Sequence, residues 1–328
     1  MKHLAQLLAL AGFALAVMLF VREDMEGIVR LVVAAGPGLL FAALFHVLPM
    51  LANARAWGRL LRTPRPGLRI LALATWIRES VNGLLPVARI GGEIVAYRLL
   101  RRQGVRRGDA AASLVADMAL SVLSQAGFAL LGLTLLFARG HAPTATASLM
   151  AGVIAMILLG ALFVLAQRSG ALGVATRVLD RLFAGRLGMF HAQSLRFDRA
   201  LRAVYARQRD VLACFAWQLV GWTLGAGEIW LALWVLGAPH GVLDALVIEA
   251  LIQAVASAAF VVPAALGVQE GAFVVIGAAL GIDGTTALAL ATARRLRDVV
   301  IFFPGLIAWH RSEARSRGGG AASTEGLR

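Results

Sequence analysis

The feature that most constrains this chain is the recurrence of apolar runs long enough to cross a hydrocarbon core. Leu4–Val21, Ile28–Leu51, Ala110–Phe137, Ser148–Ala166, Val211–Leu236 and Ala287–Trp309 all come near or above the ~20 residues a spanning helix needs. The charge content agrees, at 15% of residues against about a quarter in an ordinary soluble domain. Mean hydropathy is +0.78. The expected fold is all-α, a polytopic integral membrane protein in which residues 1–310 form one transmembrane domain. Residues 311–328, rich in Gly, Ala and Ser from Gly318 onward, are expected to form a disordered basic tail.

The net charge is +14 and Lys2 is the only lysine, so the excess is arginine. No basic patch with interleaved aromatics stands clear of the spans, which excludes nucleic acid as a partner. The arginines mark sidedness instead. Arg22 to Gly27 carries Glu23, Asp24 and Glu26 and is read as external. Arg55–Arg69, Arg101–Arg107, Arg168–Arg209 and the tail with Arg311, Arg315 and Arg317 are read as cytoplasmic, which places both termini there. The N-terminal run continues past a signal-like Ala14-Leu15-Ala16 site and is read as a retained first span. Arg177 to Arg209 reads as an amphipathic surface helix suited to anionic lipid. With Cys214 as the only cysteine, a disulfide within the chain is excluded.

Between two cytoplasmic clusters, Leu71–Arg98 must start and finish on one side, yet it is too short for two crossings, which need about 40 residues. A re-entrant hairpin meets that constraint, broken in the stretch LPVARIGGE, Leu85 to Glu93. Pro86 removes a backbone donor, and Gly91 and Gly92 permit unusual dihedrals. A second break, VPAALGVQEGAF (Val262 to Phe273), repeats the pattern at a constant offset. Pro86 matches Pro263, Glu93 matches Glu270 and Gly104 matches Gly281, each 177 residues on. The expectation is an internal inverted repeat with two opposed hairpins and about six full spans, with eight full spans as the open alternative.

Glu79, Arg89, Glu93, Asp117, Glu228, Glu249, Glu270 and the run Arg294–Asp298 fall within or beside apolar segments. Each charge left alone at a helix centre costs about 2.5–3.5 kcal/mol, so they must find partners, water or an anionic ligand. Two readings stay open. Acids and arginines neutralise one another and set register, or the arginines beside broken-helix N-termini receive a phosphate head group. Glu93 and Glu270 are the expected counterparts of the Arg294–Asp298 run, and Asp117 occupies the repeat position of Arg294. The six histidines lack ligand spacing, so no metal is expected. The sequence holds no D-x-D, Walker-type loop or G-x-S-x-G, and no cofactor or catalytic residue is expected.

The stretches NGLLPVARIGGEIVAYRLLRRQGV, AAASLVADM and VPAALGVQEGAFVVIGAALGI, with ALALATARRLRD after them, resemble the lysylphosphatidylglycerol synthase transmembrane, or flippase-like, family. The similarity is greatest to its bacterial members associated with hopanoid biosynthesis. It implies an inner-membrane protein that moves a polar lipid, a hopanoid or an anionic phospholipid, between leaflets, with lipid-biosynthesis proteins as further partners. By motif match it implies substrate-binding roles for Asn82, Arg89, Gly91, Gly92, Glu93, Arg98, Asp117, Gly267, Glu270, Arg294, Arg295 and Arg297, and helix breaks at Pro86 and Pro263. The soluble aminoacyl-transferase domain of the bifunctional synthases is absent from this sequence, so lipid lysinylation is not expected. The alternative function is a membrane-embedded enzyme or accessory subunit of lipid biosynthesis, with Glu93 or Glu270 as acid or base.

Overall fold

The computed structural model describes residues 14–62, 65–85, 91–138, 154, 158, 165, 188–259, 262 and 265–325, without the side chains of 188–195 and 315–325. Among these the regular structure is helical throughout. After a helical stretch over 14–22 come α1 (Met25–Ala35), α2 (Pro37–Phe45), α3 (Val47–Leu60), α4 (Leu68–Leu84), α5 (Gly91–Arg102) and α6 (Arg107–Ala138). Then follow α7 (Gly188–Tyr205), α8 (Gln208–Val235), α9 (Val242–Ala258), α10 (Val268–Ala279) and α11 (Gly284–Glu325).

The run read as one span over Ile28–Leu51 is cut in the structure. Asp24 caps α1 by accepting from the Gly27 N–H at 2.9 Å. Gly36, at φ 47, ends that helix. Pro37 then opens α2, where its missing N–H costs nothing. His46 keeps helical angles, so α2 and α3 join into a 24-residue apolar segment, Pro37–Leu60. The span therefore lies nine residues further along, and Arg55 and Arg59 belong to its last turns rather than to a loop. Pro37–Leu60 and Arg107–Ala138 are the two helical segments that are long and apolar enough to cross a membrane among the described residues. The expected span Val211–Leu236 coincides with α8 and its C-cap, Leu236, whereas Ser148–Ala166 lies outside the described residues apart from Ile154, Leu158 and Leu165.

The molecule is inverted relative to a water-soluble bundle. Val33, Phe41, Leu212 and Trp234 are between 63% and 71% exposed, while Arg294, Arg297 and Glu249 are 6%, 5% and 2% exposed. Charged side chains are almost never fully buried unless paired, and apolar surface on this scale needs an apolar solvent.

The α4–α5 pair and the α9–α10 pair carry the breaks. Helix α4 stops at Leu84 and α5 starts at Gly91; α9 stops at Ala258 and α10 starts at Val268. Pro86, Arg89 and Pro263 lie in those connections, outside the described residues. Helices α5 and α10 have 12 residues each, about 18 Å, well short of the ~30 Å hydrocarbon core. They begin 177 positions apart, at 91 and 268, and the helices after them also begin 177 apart, at 107 and 284. Each ends alike. Gly104 and Gly281 take φ 79 and φ 77, and the next N–H reaches back to close the cap, Val105 to the Leu100 carbonyl at 3.2 Å and Ile282 to the Gly277 carbonyl at 2.9 Å. Only glycine adopts that left-handed geometry cheaply. Packing follows the same correspondence with partners exchanged: α4 packs on α11, and its counterpart α9 packs on α6.

Two further expectations meet the structure. Helix α7, inside the segment read as a lipid-surface helix, buries Leu201, Val204 and Tyr205 with Ala56, Leu60, Ala112 and Ala116 of α3 and α6, so that face is core. The backbone of α11 runs on as helix from Arg311 to Glu325. The first turn of that stretch is tied to α5, where Arg102 donates to the Ser312 carbonyl at 3.1 Å and pairs with Glu313 at 3.0 Å.

Candidate functional site

Two buried charge clusters lie on the helices that flank the breaks. In the first, Arg78 of α4 donates to Asp117 of α6 at 2.7 Å and lies 3.7 Å from Glu93 of α5. Its guanidinium stands over the Trp57 ring, 5.2 Å from the centroid. Asn82, one turn after Arg78, accepts from the Gly92 N–H at 2.8 Å. That bond needs a glycine, because a Cβ at Gly92 would meet the Arg78 carbonyl and come within 2.7 Å of the Asn82 side chain. Gln218 of α8 donates to the second oxygen of Asp117 at 3.1 Å.

The second cluster is built on α11. Arg294 makes a bidentate pair with Glu249 of α9, at 2.5 and 3.2 Å. Gly225 of α8 leaves room for it; a Cβ there would sit 2.9 Å from the carboxylate. Arg295 pairs with Glu270 of α10 at 2.8 Å, while the other Glu270 oxygen accepts from the Gly267 N–H at 2.7 Å. Gly267, at φ 75, is thus the N-cap of α10, and Glu270 closes its first turn. Arg297 lies 3.2 Å from Glu228 of α8 and 2.9 Å from Asp298. His46, at the α2–α3 junction, lies 2.8 Å from Glu228 and 2.5 Å from Arg297.

A buried polar track joins the clusters. Gln218 accepts from Ser124 of α6 at 3.3 Å. The neighbouring Gln125 donates to the Gln253 carbonyl and to Ser257 of α9, both at 2.8 Å. Gln253 in turn donates to Glu249 at 2.7 Å. The position along the helix is matched as well. Asp117 and Arg294 each lie ten residues into their helix, from 107 and from 284, about 15 Å along the axis and half the thickness of a hydrocarbon core.

The family model for the lysylphosphatidylglycerol synthase TM region matches residues 6–305. The chain belongs to this family. It is accordingly a membrane protein. No curated protein and no solved structure matches the chain.

Within this family member the motif residues divide. Asn82, Gly91, Gly92, Glu93 and Asp117 gather at the first break, and Gly267, Glu270, Arg294, Arg295 and Arg297 at the second. Arg98 is exposed on α5, away from both clusters. The pairing differs from the expected one at Glu93, which meets Arg78 rather than the Arg294–Asp298 run. Sequence reasoning passed over Arg78 and His46, and it did not assign Glu228 and Glu249 to the site. Arg78 was nonetheless legible. It shares the 71, 74, 78, 81 phase with Leu71, Ala74 and Val81, which are all buried, so its charge falls on the packed face of α4.

Chemically, Arg78, Arg294, Arg295 and Arg297 all have carboxylate partners, and the first turns of both α5 and α10 carry their own acid, Glu93 and Glu270. A carboxylate there complements the helix dipole. An incoming anion must therefore displace a carboxylate. The most open pair is Arg295–Glu270, where the arginine side chain is 27% exposed. Among the described residues no group of three His, Cys, Asp or Glu side chains is placed to hold a metal.

Proposed function

We propose that this protein is a lipid translocase of the bacterial inner membrane that passes a polar lipid, a hopanoid or a phospholipid, between leaflets through a midplane polar site. Lipid-biosynthesis proteins are its natural partners. In this reading α4–α5 and α9–α10 are re-entrant hairpins entering from opposite faces, cytoplasmic and external, and the two halves are inverted repeats. The 177-residue correspondence of α5, Gly104 and α6 with α10, Gly281 and α11 supports the repeat, as does the partner exchange in packing. Both termini are cytoplasmic in this arrangement.

The observation that carries the proposal is the position and kind of the two buried ion pairs, Arg78–Asp117 and Arg294–Glu249. Each links the first helix of a hairpin to the helix after that hairpin, ten residues into it. Replacing a buried pair by apolar residues is often neutral or stabilising, so packing alone gives little reason to keep several at midplane. A head group that exchanges partners with them gives one, because each arginine offers a bidentate fork and each carboxylate an acceptor pair. Lipid moves and is not chemically altered, so no residue has a catalytic role.

The test is leaflet exchange of a labelled phospholipid in reconstituted vesicles. Protein-dependent movement is expected, falling to the protein-free rate in Asp117→Asn and Arg294→Gln proteins that still run as folded species on size exclusion. Equal movement by wild type and both variants sinks the reading. So does a chemically altered lipid, which points to an enzyme instead.

A further inference from the structure

The arginines of the two buried clusters all have carboxylate partners. Those at the end of α3 do not. Arg55, Arg59, Arg62 and Arg65 follow one another there and in the connection to α4, with no acid between them. Arg62 makes no hydrogen bond or ion pair among the described residues, and Arg65 makes one bond, from Nη2 to the Arg59 carbonyl at 3.3 Å. Arg207, the residue before α8, reaches across to the same place.

Arg207 is held in position by the ends of two helices. Its Nη2 donates to the Leu60 carbonyl at 2.7 Å, its Nη1 lies 3.4 Å from the Arg59 carbonyl, and its Nε donates to the Ala203 carbonyl of α7 at 3.4 Å. Carbonyls in a last helical turn lack partners within their own helix, so these bonds fix the guanidinium without using up a ligand. Asp210 pairs with Arg207 at 2.9 Å and is thereby occupied. Arg65 and Arg207 both lie against the one Arg59 oxygen, which brings two guanidinium groups side by side. With Arg62 and Leu61 they line an open cavity of about 470 Å³ that has no acid in its wall. That volume lies within the range of small-ligand clefts, about 300–1,000 Å³. Three like charges around one space repel one another, and an anion between them removes the repulsion.

The cavity also has a defined level. It begins at Leu61, directly after the apolar segment Pro37–Leu60. Arg55, in the last turns of that segment, stands over the Trp217 ring, 5.3 Å from the centroid. Arginine and tryptophan together mark the height at which a helix leaves the hydrocarbon, where lipid phosphates lie.

We propose that the cavity between Arg62, Arg65 and Arg207 is a phosphate-ester site, separate from the two buried clusters, with the head groups of anionic phospholipids as its nearest source of ligand. Arg62 and Arg65 offer guanidinium forks to the phosphate oxygens, and the anchored Arg207 closes the third side. A phosphate held there ties the α3–α4 connection to the turn between α7 and α8. The site does not depend on lipid movement; only its assignment to the cytoplasmic face rests on the translocase reading above.

The test is binding to the full-length protein in neutral detergent, followed by thermophoresis at constant ionic strength. Dioctanoyl phosphatidylglycerol, dioctanoyl phosphatidylcholine and inorganic phosphate are the separate probes. Phosphatidylglycerol is expected to bind about ten-fold more tightly than phosphatidylcholine, whose choline cancels the phosphate charge. Arg62→Gln, which removes no bond within the protein, is expected to weaken phosphatidylglycerol about ten-fold, the effect of one charged hydrogen bond. Arg62→Gln/Arg65→Gln is expected to abolish the preference for the anionic lipid. Arg196→Gln/Arg199→Gln, which removes the same charge from the exposed face of α7, is expected to change binding by no more than about two-fold. Equal loss in the two double variants means diffuse surface charge and overturns the site, as does an absence of both lipid preference and phosphate binding. Inorganic phosphate that binds through Arg62 while phosphatidylglycerol does not keeps the site and assigns it a soluble phosphate ester. Arg294→Gln is expected to leave Arg62-dependent binding unchanged. Lipid binding that needs Arg294 and not Arg62 supports the translocase reading and overturns this one; the reverse supports this site alone.

Discussion

Replacing Glu249 by Gln gives the sharpest energetic test of the second cluster. Both side chains of the Glu249–Arg294 pair are under 10% exposed, and the carboxylate takes both guanidinium nitrogens and Gln253. Glutamine keeps the volume and one acceptor but removes the charge, leaving Arg294 buried with no counter-ion of its own. Breaking a buried pair from one side costs about 3–5 kcal/mol. Spread over a chain of this length at ~2.1 cal/mol/K per residue, that is a fall of about 4–7 °C in unfolding midpoint. The assay is thermal unfolding in detergent, followed by tryptophan fluorescence, for Glu249→Gln, Arg294→Gln and the double variant. Each single variant is expected to show most of the loss and the double variant to recover a large part of it, because two neutral amides can bond to each other. A single variant within one degree of wild type, or a double variant whose loss is the sum of the two, refutes the claim that the pair is mutually dependent.

Gly104→Ala and Gly281→Ala meet no atom within 4 Å but force alanine to φ 79 and φ 77; each is expected to lower stability by about 1 kcal/mol, to a similar extent, and a denaturant series that separates them widely would argue against equivalent caps. Gly92→Ala drives a Cβ into Asn82 and the Arg78 carbonyl; a loss of about 1–3 kcal/mol, larger than at Gly104, is expected in the same series. With Cys214 replaced, single cysteines at Gly91 and Leu266 are expected to react with a membrane-impermeant maleimide from opposite faces of the vesicle; reaction from the same face counts against opposed hairpins.

Much of the architecture was legible because membranes demand it. The interruptions near Pro86 and Pro263 were legible, since the helices before them end at Leu84 and Ala258. The role given to the paired glycines was not right: Gly91 and Gly92 lie in the first turn of α5, and Pro49 and Pro304 lie inside α3 and α11 without ending them. The boundary at Gly36 was not legible from hydrophobicity, since Gly-Pro at 36–37 interrupts the helix without interrupting the apolar run. Partner choice was not legible either. Glu93 and Glu270 occupy the same position in matched helices, yet one meets Arg78 and the other Arg295, because a salt bridge depends on which helix crosses opposite and not on distance along the chain. His46 looked like an isolated histidine for the same reason. Glu228 and Arg297 lie 182 and 251 positions away.

The matched pairs carry opposite signs. On α6 the acid Asp117 receives an arginine from α4; on α11, ten residues into that helix as well, Arg294 receives an acid from α9. If these pairs only held the fold, their polarity would be arbitrary, and exchanging it would cost little once both partners changed together. If a head group reads them, polarity is part of the site. The Arg78→Glu/Asp117→Arg double variant separates the two. Gln218 can turn its amide to offer oxygen instead of nitrogen to the new arginine, at the expense of its bond from Ser124, which costs about 1 kcal/mol. The repulsion between the new carboxylate and Glu93, 3.7 Å from Arg78, adds about as much again. Either single change puts two like charges together and is expected to cost several times more. A double variant that folds and moves labelled lipid at the wild-type rate assigns Arg78–Asp117 to structure alone; one that folds and moves none places the sign of the charge in the lipid pathway.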